Sequence, residues 1–545
     1  MASQQAQGKR KRDDEAEGQL QNGRLGVQED GSSLNHSADE GRHNQVDLAL
    51  LEALENSHET AEVLDLRGLK KIVLAFERKL RDNLEARMKY VDQPDRFLES
   101  EVDLDEEIKK LHALAAAPDL YPDLVRLNAV PSLLGLLTHE NTDIAIDVVN
   151  LLSDLTDEDV IGEGSDESAS ILVDALIENN ALELLVQNLS RMEESEPEEA
   201  SAVFNTLSVL ENMIEVRPAV AEMVCERTKL LRWLLNRIKV REFDSNKLYA
   251  TEILAILLQN SAVNQRRVGQ LNGVDTILQA VALYKSKDPK SGEEEEMLEN
   301  LFGCLCSVVM PMENKERFVK AEGVELMIII MKQKRLAYGS AMKALDFATT
   351  RCPQACERFV DVLGLKTLFA AFMGRIPTKG KHGGSRDKEE ILEHAVSIIA
   401  SLLGGLTRGS RRERVIGKFT ENEFEKIDRL MELYMRYMNR VKVETKRLET
   451  LELDDVEMDE EDRYLAKMEA GLYTLQLLAL ILAHAWASEN QGIRDRIDLL
   501  LKQQRLSRKD VIQILQEYHD NIGDLDGPEE REKACSKVQK IISSM

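Results

Sequence analysis

Several places in this 545-residue sequence bring together residue types capable of chemistry. Cys304 and Cys306 stand two apart, where helical geometry points their sulfurs to opposite sides; Cys352 and Cys356 stand four apart, a better spacing for a shared ligand. Zinc needs further ligands in tetrahedral array, and no second Cys/His pair accompanies either set at zinc-finger distance, so no metal site is expected. The run Gly380-Lys381-His382-Gly383-Gly384 has the glycines and lysine of a phosphate loop. It lacks the spacing before Gly-Lys, carries His where Ser or Thr should follow, and has no preceding strand, so it reads as a linker. His394 and His484 lie on otherwise apolar helices, where a hydrogen-bonded core imidazole is the simpler reading than a general base. Neither a catalytic residue nor a cofactor is expected.

What remains is electrostatic chemistry. Asp and Glu total 98 against 71 Lys and Arg, a formal charge of −27. That field repels nucleic acid over most of a surface and favours basic partners, so direct RNA binding is not expected. In segment 142–156, Asp143, Asp147, Asn150 and Asp154 fall at i, i+4, i+7 and i+11, opposite an apolar stripe of Ile144, Val148, Leu151, Leu152 and Leu155. The polar side recurs as Asn205, Ser208, Asn212 and Glu215, then as Glu252, as Glu299 with Asn300, and as Asp346. Stacked side by side, such helices form an acidic, amide-bearing trough in which carboxylates attract Lys and Arg while Asn side chains bond an extended backbone. The competing reading is that every amphipathic helix keeps a solvated polar face. Arg408, Arg411, Arg412 and Arg414 make a basic loop, a candidate contact for RNA or an acidic partner. No aromatics interleave for base stacking, and solvation of a helix end is the stronger reading there.

The elements that position these residues are helices. Aromatics are 4% of the chain and Pro totals 11, while Leu, Ala and Glu abound and strand-like alternation is hard to find. A small or polar pair followed by an apolar helix recurs at Asn128-Ala129, Asn180-Ala181, Asn272-Gly273, Glu322-Gly323 and Leu363-Gly364, with spacings of 52, 92, 50 and 41. A weaker copy near Lys229 splits the longest into about 48 and 44. Periods of 40 to 50 belong to armadillo and HEAT solenoids, whose repeats bury their apolar stripes only against neighbours. The fold class predicted is therefore all-α: an armadillo/HEAT-like right-handed superhelical solenoid. Its expected divisions are a disordered polar tail over 1–60, an N-terminal helical cap over 61–117, repeats over 118–405, and C-terminal helical repeats and cap over 406–545. Stretches 286–295 and 374–390 are predicted loops. The most apolar segment, 471–487, carries Gln476 and His484 and is short for a bilayer, so a buried core helix is expected in place of a membrane span. Six scattered cysteines without a secretory leader fit a reducing compartment.

In the tail, Lys9-Arg10-Lys11-Arg12 precedes Asp13, Asp14 and Glu15. An extended cluster of four cations is what an acidic import receptor grips, though clusters of this size also arise by chance.

From about residue 65 onward the chain resembles the β-catenin-like protein family, nuclear armadillo proteins associated with the spliceosome. The resemblance rests on PDRFLESEVDLDEEIKKLH, DLYPDLVRLNAVPSLLGLLTHENTD, SNKLYATEILAILLQ, ERFVDVLGLKTLF, KFTENEFEKIDRLMELY and RYLAKMEAGLYTLQ. It implies a nuclear, non-enzymatic adaptor of pre-mRNA splicing, associated with the nineteen complex. The implied partners are basic import-signal-like segments of splicing factors, notably the Myb-related cell-division-cycle protein, with importin-α as the import carrier. A soluble nuclear transport receptor, or a regulatory scaffold for another nuclear complex, is the alternative. Import receptors of the importin-α kind use a Trp–Asn ladder, and this chain has Trp233 and Trp486 only. The sequence leaves homodimerisation open.

Overall fold

The computed structural model describes residues 64–157, 160, 166–376, 385–453, 459–523 and 527–545. The tail with Lys9–Arg12 and the run Gly380–Gly384 lie outside the described residues. Two helices, α1 (Leu66–Lys89) and α2 (Leu98–Leu111), pair at the start of the described chain. Six helix trios follow. They are α3 (Tyr121–Arg126), α4 (Ala129–Leu136) and α5 (Thr142–Thr156); α6 (Asp166–Glu178), α7 (Ala181–Leu189) and α8 (Pro197–Val216); then α9 (Val220–Arg227), α10 (Leu230–Ile238) and α11 (Ser245–Leu258). The series continues with α12 (Ala262–Gln270), α13 (Gly273–Ala282) and α14 (Gly292–Val308); α15 (Met312–Lys320), α16 (Gly323–Gln333) and α17 (Tyr338–Thr349); and α18 (Pro353–Asp361), α19 (Leu365–Phe372) and α20 (Ser385–Gly405). Beyond them run α21 (Ser410–Thr420), α22 (Glu425–Leu453), α23 (Glu460–Glu469), α24 (Leu472–Trp486), α25 (Gln491–Gln503), α26 (Arg508–Asp520) and α27 (Pro528–Ser544). No strand occurs among the described residues.

The recurring small pair has a stereochemical cause. Asn128, Asn180, Asn272, Glu322 and Leu363 each adopt a left-handed conformation, with φ between +58° and +63°. The chain thereby reverses sharply from the first helix of a trio into the second, and asparagine tolerates that region better than most residues. The following residue must be small because the first helix passes close. A Cβ on Gly323 would stand 2.5 Å from the Phe318 ring, and one on Gly364 would stand 2.6 Å from Phe359. Lys229, at the weak copy, has φ −98° and no left-handed turn, which is why its signature is faint.

The third helices α5, α8, α11, α14, α17 and α20 stack neighbour on neighbour, with α2 before them and α24 after. Ile144, Val148, Leu151, Leu152 and Leu155 are all buried, as their spacing predicts. Each such side chain removed from water contributes roughly 1.5–3 kcal/mol. Hydrogen bonds fix the stacking register. Asn264 of α12, wholly buried, donates from Nδ2 to Leu257 O and to Ala221 O of the previous trio, both at 2.9 Å. Asn314 does the same toward Val308 O and Gln265 O, both at 2.7 Å. Gly269 makes room for it, since a Cβ there would fall 1.8 Å from Asn314 Oδ1.

Three expectations are corrected. The loop expected over 286–295 ends at Ser291, whose side chain caps α14 by accepting from Glu294 N at 3.1 Å. The acids Glu293, Glu294 and Glu295 suit the positive end of a helix and start it earlier than loop composition implies. The second predicted loop, 374–390, likewise gives way to α20 at Ser385. The basic loop is mostly a helix: Gly409 turns the chain at φ +84°, and Arg411, Arg412 and Arg414 lie within α21, leaving Arg408 before it.

No single helix among the described residues is long and apolar enough to cross a membrane. The apolar segment forms α24, buried against α20, α22 and α26 as a core helix.

Candidate functional site: an acidic cleft on the third-helix ladder

Every trough residue named from the sequence lies on a third helix: Asp143, Asp147, Asn150 and Asp154 on α5, Asn205, Asn212 and Glu215 on α8, Glu252 on α11, Glu299 and Asn300 on α14, Asp346 on α17. Packing divides them. Some tie one third helix to the next. Asn205 donates to Asn150 Oδ1 at 2.8 Å, Asn212 to Thr156 Oγ1 at 3.4 Å, and the Tyr249 hydroxyl of α11 to Glu211 of α8 at 2.6 Å. Asp154 pairs with His112 Nδ1 at 2.6 Å and points away from the cleft described below.

Asp346 is an internal counter-ion, not an open trough carboxylate. Its Oδ2 meets His394 Nδ1 of α20 at 2.9 Å, and His394 Nε2 lies 3.6 Å from Glu390. Burial alone lowers the imidazole pKa, but the hydrogen bond to Asp346 and the nearby carboxylate of Glu390 outweigh it and raise the value to about 9. The facing His394 and the nearby Lys343 ammonium hold Glu390 at about 2. His394 is therefore a charged structural link, where the sequence promised a hydrogen-bonded core histidine. His484 is buried without a carboxylate, and desolvation with the Arg412 charge presses its pKa down to about 3; its Nδ1 has no protein partner. Neither imidazole has the mid-range pKa of a general base.

The cysteines, among the described residues, are all free thiols. Five are buried, and desolvation pushes Cys225, Cys306 and Cys356 up to about 12, far from thiolate chemistry. No cluster of three or more potential metal ligands occurs among the described residues.

Asp143, Asp147 and Asn150 do converge. With Glu101, Asp105 and Lys109 of α2 and Glu198 of α8 they line a cleft of about 470 Å³. Leu98, Val102, Ile144 and Ile146 give the lining an apolar part. Arg87 neutralises Glu101, and Asn141 donates to the same carboxylate at 3.1 Å. Lys109 binds Asp105 at 2.6 Å and reaches Asp147 only at 3.7 Å. Burial and the hydrogen-bonded Asp105 raise the Asp147 pKa to about 7. Asp105 itself, despite burial, is held low by the hydrogen bonds from Asp147 and Lys109. Two carboxylates thus share one lysine, and the protonated form of Asp147 is favoured well above the usual carboxylate range. Asp143 and Glu198 have no cation within salt-bridge distance among the described residues.

The cap residues Glu101, Asp105 and Lys109 were missed by repeat-based reasoning, because α2 precedes the first small-pair signature. Their signal was the i, i+4, i+8 spacing along a helix rich in acids.

The sequence model of a family described as "Catenin-beta-like, Arm-motif containing nuclear" matches residues 47–516. The chain belongs to that family. The catenin-beta-like match extends from the cap through the cleft and all six trios into α26. Beta-catenin-like protein 1 of Homo sapiens is 44% identical over 494 residues, covering 88% of this chain and 86% of the relative. The Rattus norvegicus protein is 45% identical over 493 residues with the same shares. The homologue of Schizosaccharomyces pombe is 37% identical over 465 residues, 83% of this chain and 78% of that one. As a catenin-beta-like protein the chain is a nuclear armadillo solenoid. Its two tryptophans are not on third helices: Trp233 sits on α10 and Trp486 ends α24 under the Arg508 guanidinium.

Proposed function

We propose that this nuclear armadillo protein is a non-enzymatic adaptor of pre-mRNA splicing that holds Lys/Arg-rich, import-signal-like segments of splicing factors. Those of the nineteen complex, the Myb-related cell-division-cycle protein first, are the partners the family resemblance implies. The supporting observation is the cleft between α2, α5 and α8, where carboxylates outnumber cations and Asp147 keeps a proton that an incoming ammonium or guanidinium displaces. The apolar lining residues Leu98 and Val102 suit the methylene stems of Lys and Arg. The absence of tryptophan from the third helices distinguishes this mode of grip from a Trp–Asn ladder.

The test is fluorescence anisotropy of a labelled Lys/Arg-rich peptide against the full-length chain at low and high salt. Binding should weaken steeply with salt and fall at least tenfold in Asp143→Lys/Asp147→Lys. Asp154→Lys, which changes a carboxylate outside the cleft, should alter it by less than threefold. Equal losses in both variants would indicate a diffuse charge effect and sink the cleft as the site.

A further inference from the structure

A second cleft, of about 390 Å³, has the opposite sign. It opens where the turn between α18 and α19 faces α21, and Lys366, Arg414 and Lys418 surround it. Lys418 is engaged by Glu421 at 2.7 Å, and Glu421 is also bound by Lys426 at 3.0 Å, so the one carboxylate of the lining is already neutralised. Neighbouring Asp361 is held by Arg411 through two bonds of 2.9 and 2.8 Å. Arg412 turns inward and donates to Leu403 O and Leu406 O, closing the end of α20. Lys366 and Arg414 remain exposed, without a carboxylate at salt-bridge distance among the described residues. On a chain of net charge −27 this is a local reversal of field.

The rim carries Leu363, which is 64% exposed in a left-handed conformation at φ +62°. The corresponding turns at residues 128, 180 and 272 use asparagine. A leucine here bears the steric penalty of that region without burying its side chain. Strain together with an exposed apolar group beside unpaired cations is the composition of a recognition surface. We propose that this cleft docks a short acidic segment of another protein, with one apolar side chain laid on Leu363 and carboxylates on Lys366 and Arg414. A peptide fits better than RNA. No aromatic ring lines the cleft for a base to stack on, whereas the exposed Leu363 at its edge suits an apolar side chain. The chain then carries a site for basic segments at its first trio and one for acidic segments at its sixth.

The experiment pans a displayed library of ten-residue peptides on the full-length chain and on Lys366→Glu/Arg414→Glu, with circular dichroism and urea unfolding of both. The wild type should enrich peptides combining Asp or Glu with Leu, Ile or Phe, with affinity at least tenfold weaker in the charge-reversed variant and falling with salt. Leu363→Asn is the second variant. It suits the turn, so its unfolding midpoint should hold or rise while the same peptides bind several-fold more weakly. Failure to enrich acidic–apolar peptides overturns the proposal. So does equal binding by the charge-reversed variant, or displacement of the enriched peptides by a uridine oligonucleotide.

Discussion

Two junctions between successive third-type helices solve the same electrostatic problem differently. Where α17 meets α20, the carboxylates of Asp346 and Glu390 flank an imidazolium supplied by the protein itself. Where α2 meets α5, Asp105 and Asp147 face each other with only Lys109, and a proton stands in for the absent second cation. A junction with a built-in counter-ion serves the fold. A junction short of one leaves carboxylate charge facing an open cleft.

Removing a partner from the imidazolium junction should give the largest effect. His394 and Asp346 are both less than one-fifth exposed, so Asp346→Ala leaves a buried charge poorly compensated and should cost about 3 kcal/mol. The shift of the urea unfolding midpoint measures it. At the incomplete junction Asp147→Asn removes a carboxylate whose ionisation burial and Asp105 disfavour, so stability near neutral pH should hold or rise while binding of a basic peptide weakens. A loss of stability as large as that of Asp346→Ala would erase the distinction.

Acidity sharpens the contrast. Both His394, at about 9 against an ordinary 6.5, and Asp147, at about 7 against 3.8, have folded pKa values raised above the unfolded ones. Each therefore stabilises fully below its unfolded value and loses that contribution as pH rises through its folded value. The windows differ: pH 6.5 to 9 for His394, and 3.8 to 7 for Asp147. Unfolding midpoints collected from pH 4 to 9.5 should show Asp346→Asn flattening the upper window and Asp147→Asn the lower. Crossed effects would mean the two junctions are coupled through the array.

The smallest effect belongs to Asp143→Asn. Its carboxylate is exposed and screened, so stability should move by no more than about 0.5 kcal/mol. Peptide binding should drop only two- to fourfold in an anisotropy titration.

The helices, their period and the side of each that faces its neighbours were legible in the sequence. Stripes such as Ile144 to Leu155 and turns such as Asn272-Gly273 are local, and local stereochemistry fixes them. Which polar residue meets which was not legible, because the partners lie one repeat apart. Asp154 finds His112 42 residues away, and Asp346 finds His394 48 residues away. A periodicity reports a face, not what the adjacent helix places opposite it. Hence Asp346 reads as an open trough residue when it is an internal counter-ion. By the same limit Asp105, on a helix without the repeat signature, was overlooked although it sets the chemistry of the cleft. Arg412 illustrates a third case, in which a charge that looks like surface serves the carbonyls at a helix end.

The thiols acquire a use from where the fold puts them. Cys225 lies in the third trio, Cys304 and Cys306 in the fourth, Cys352 and Cys356 in the sixth, and Cys535 in the final helix. Those in the trios are buried, so an alkylating reagent reaches each only when its own stretch of the array breathes. The molecule carries a set of position-stamped clocks, able to register which repeats loosen, and which tighten, when a partner settles at either end.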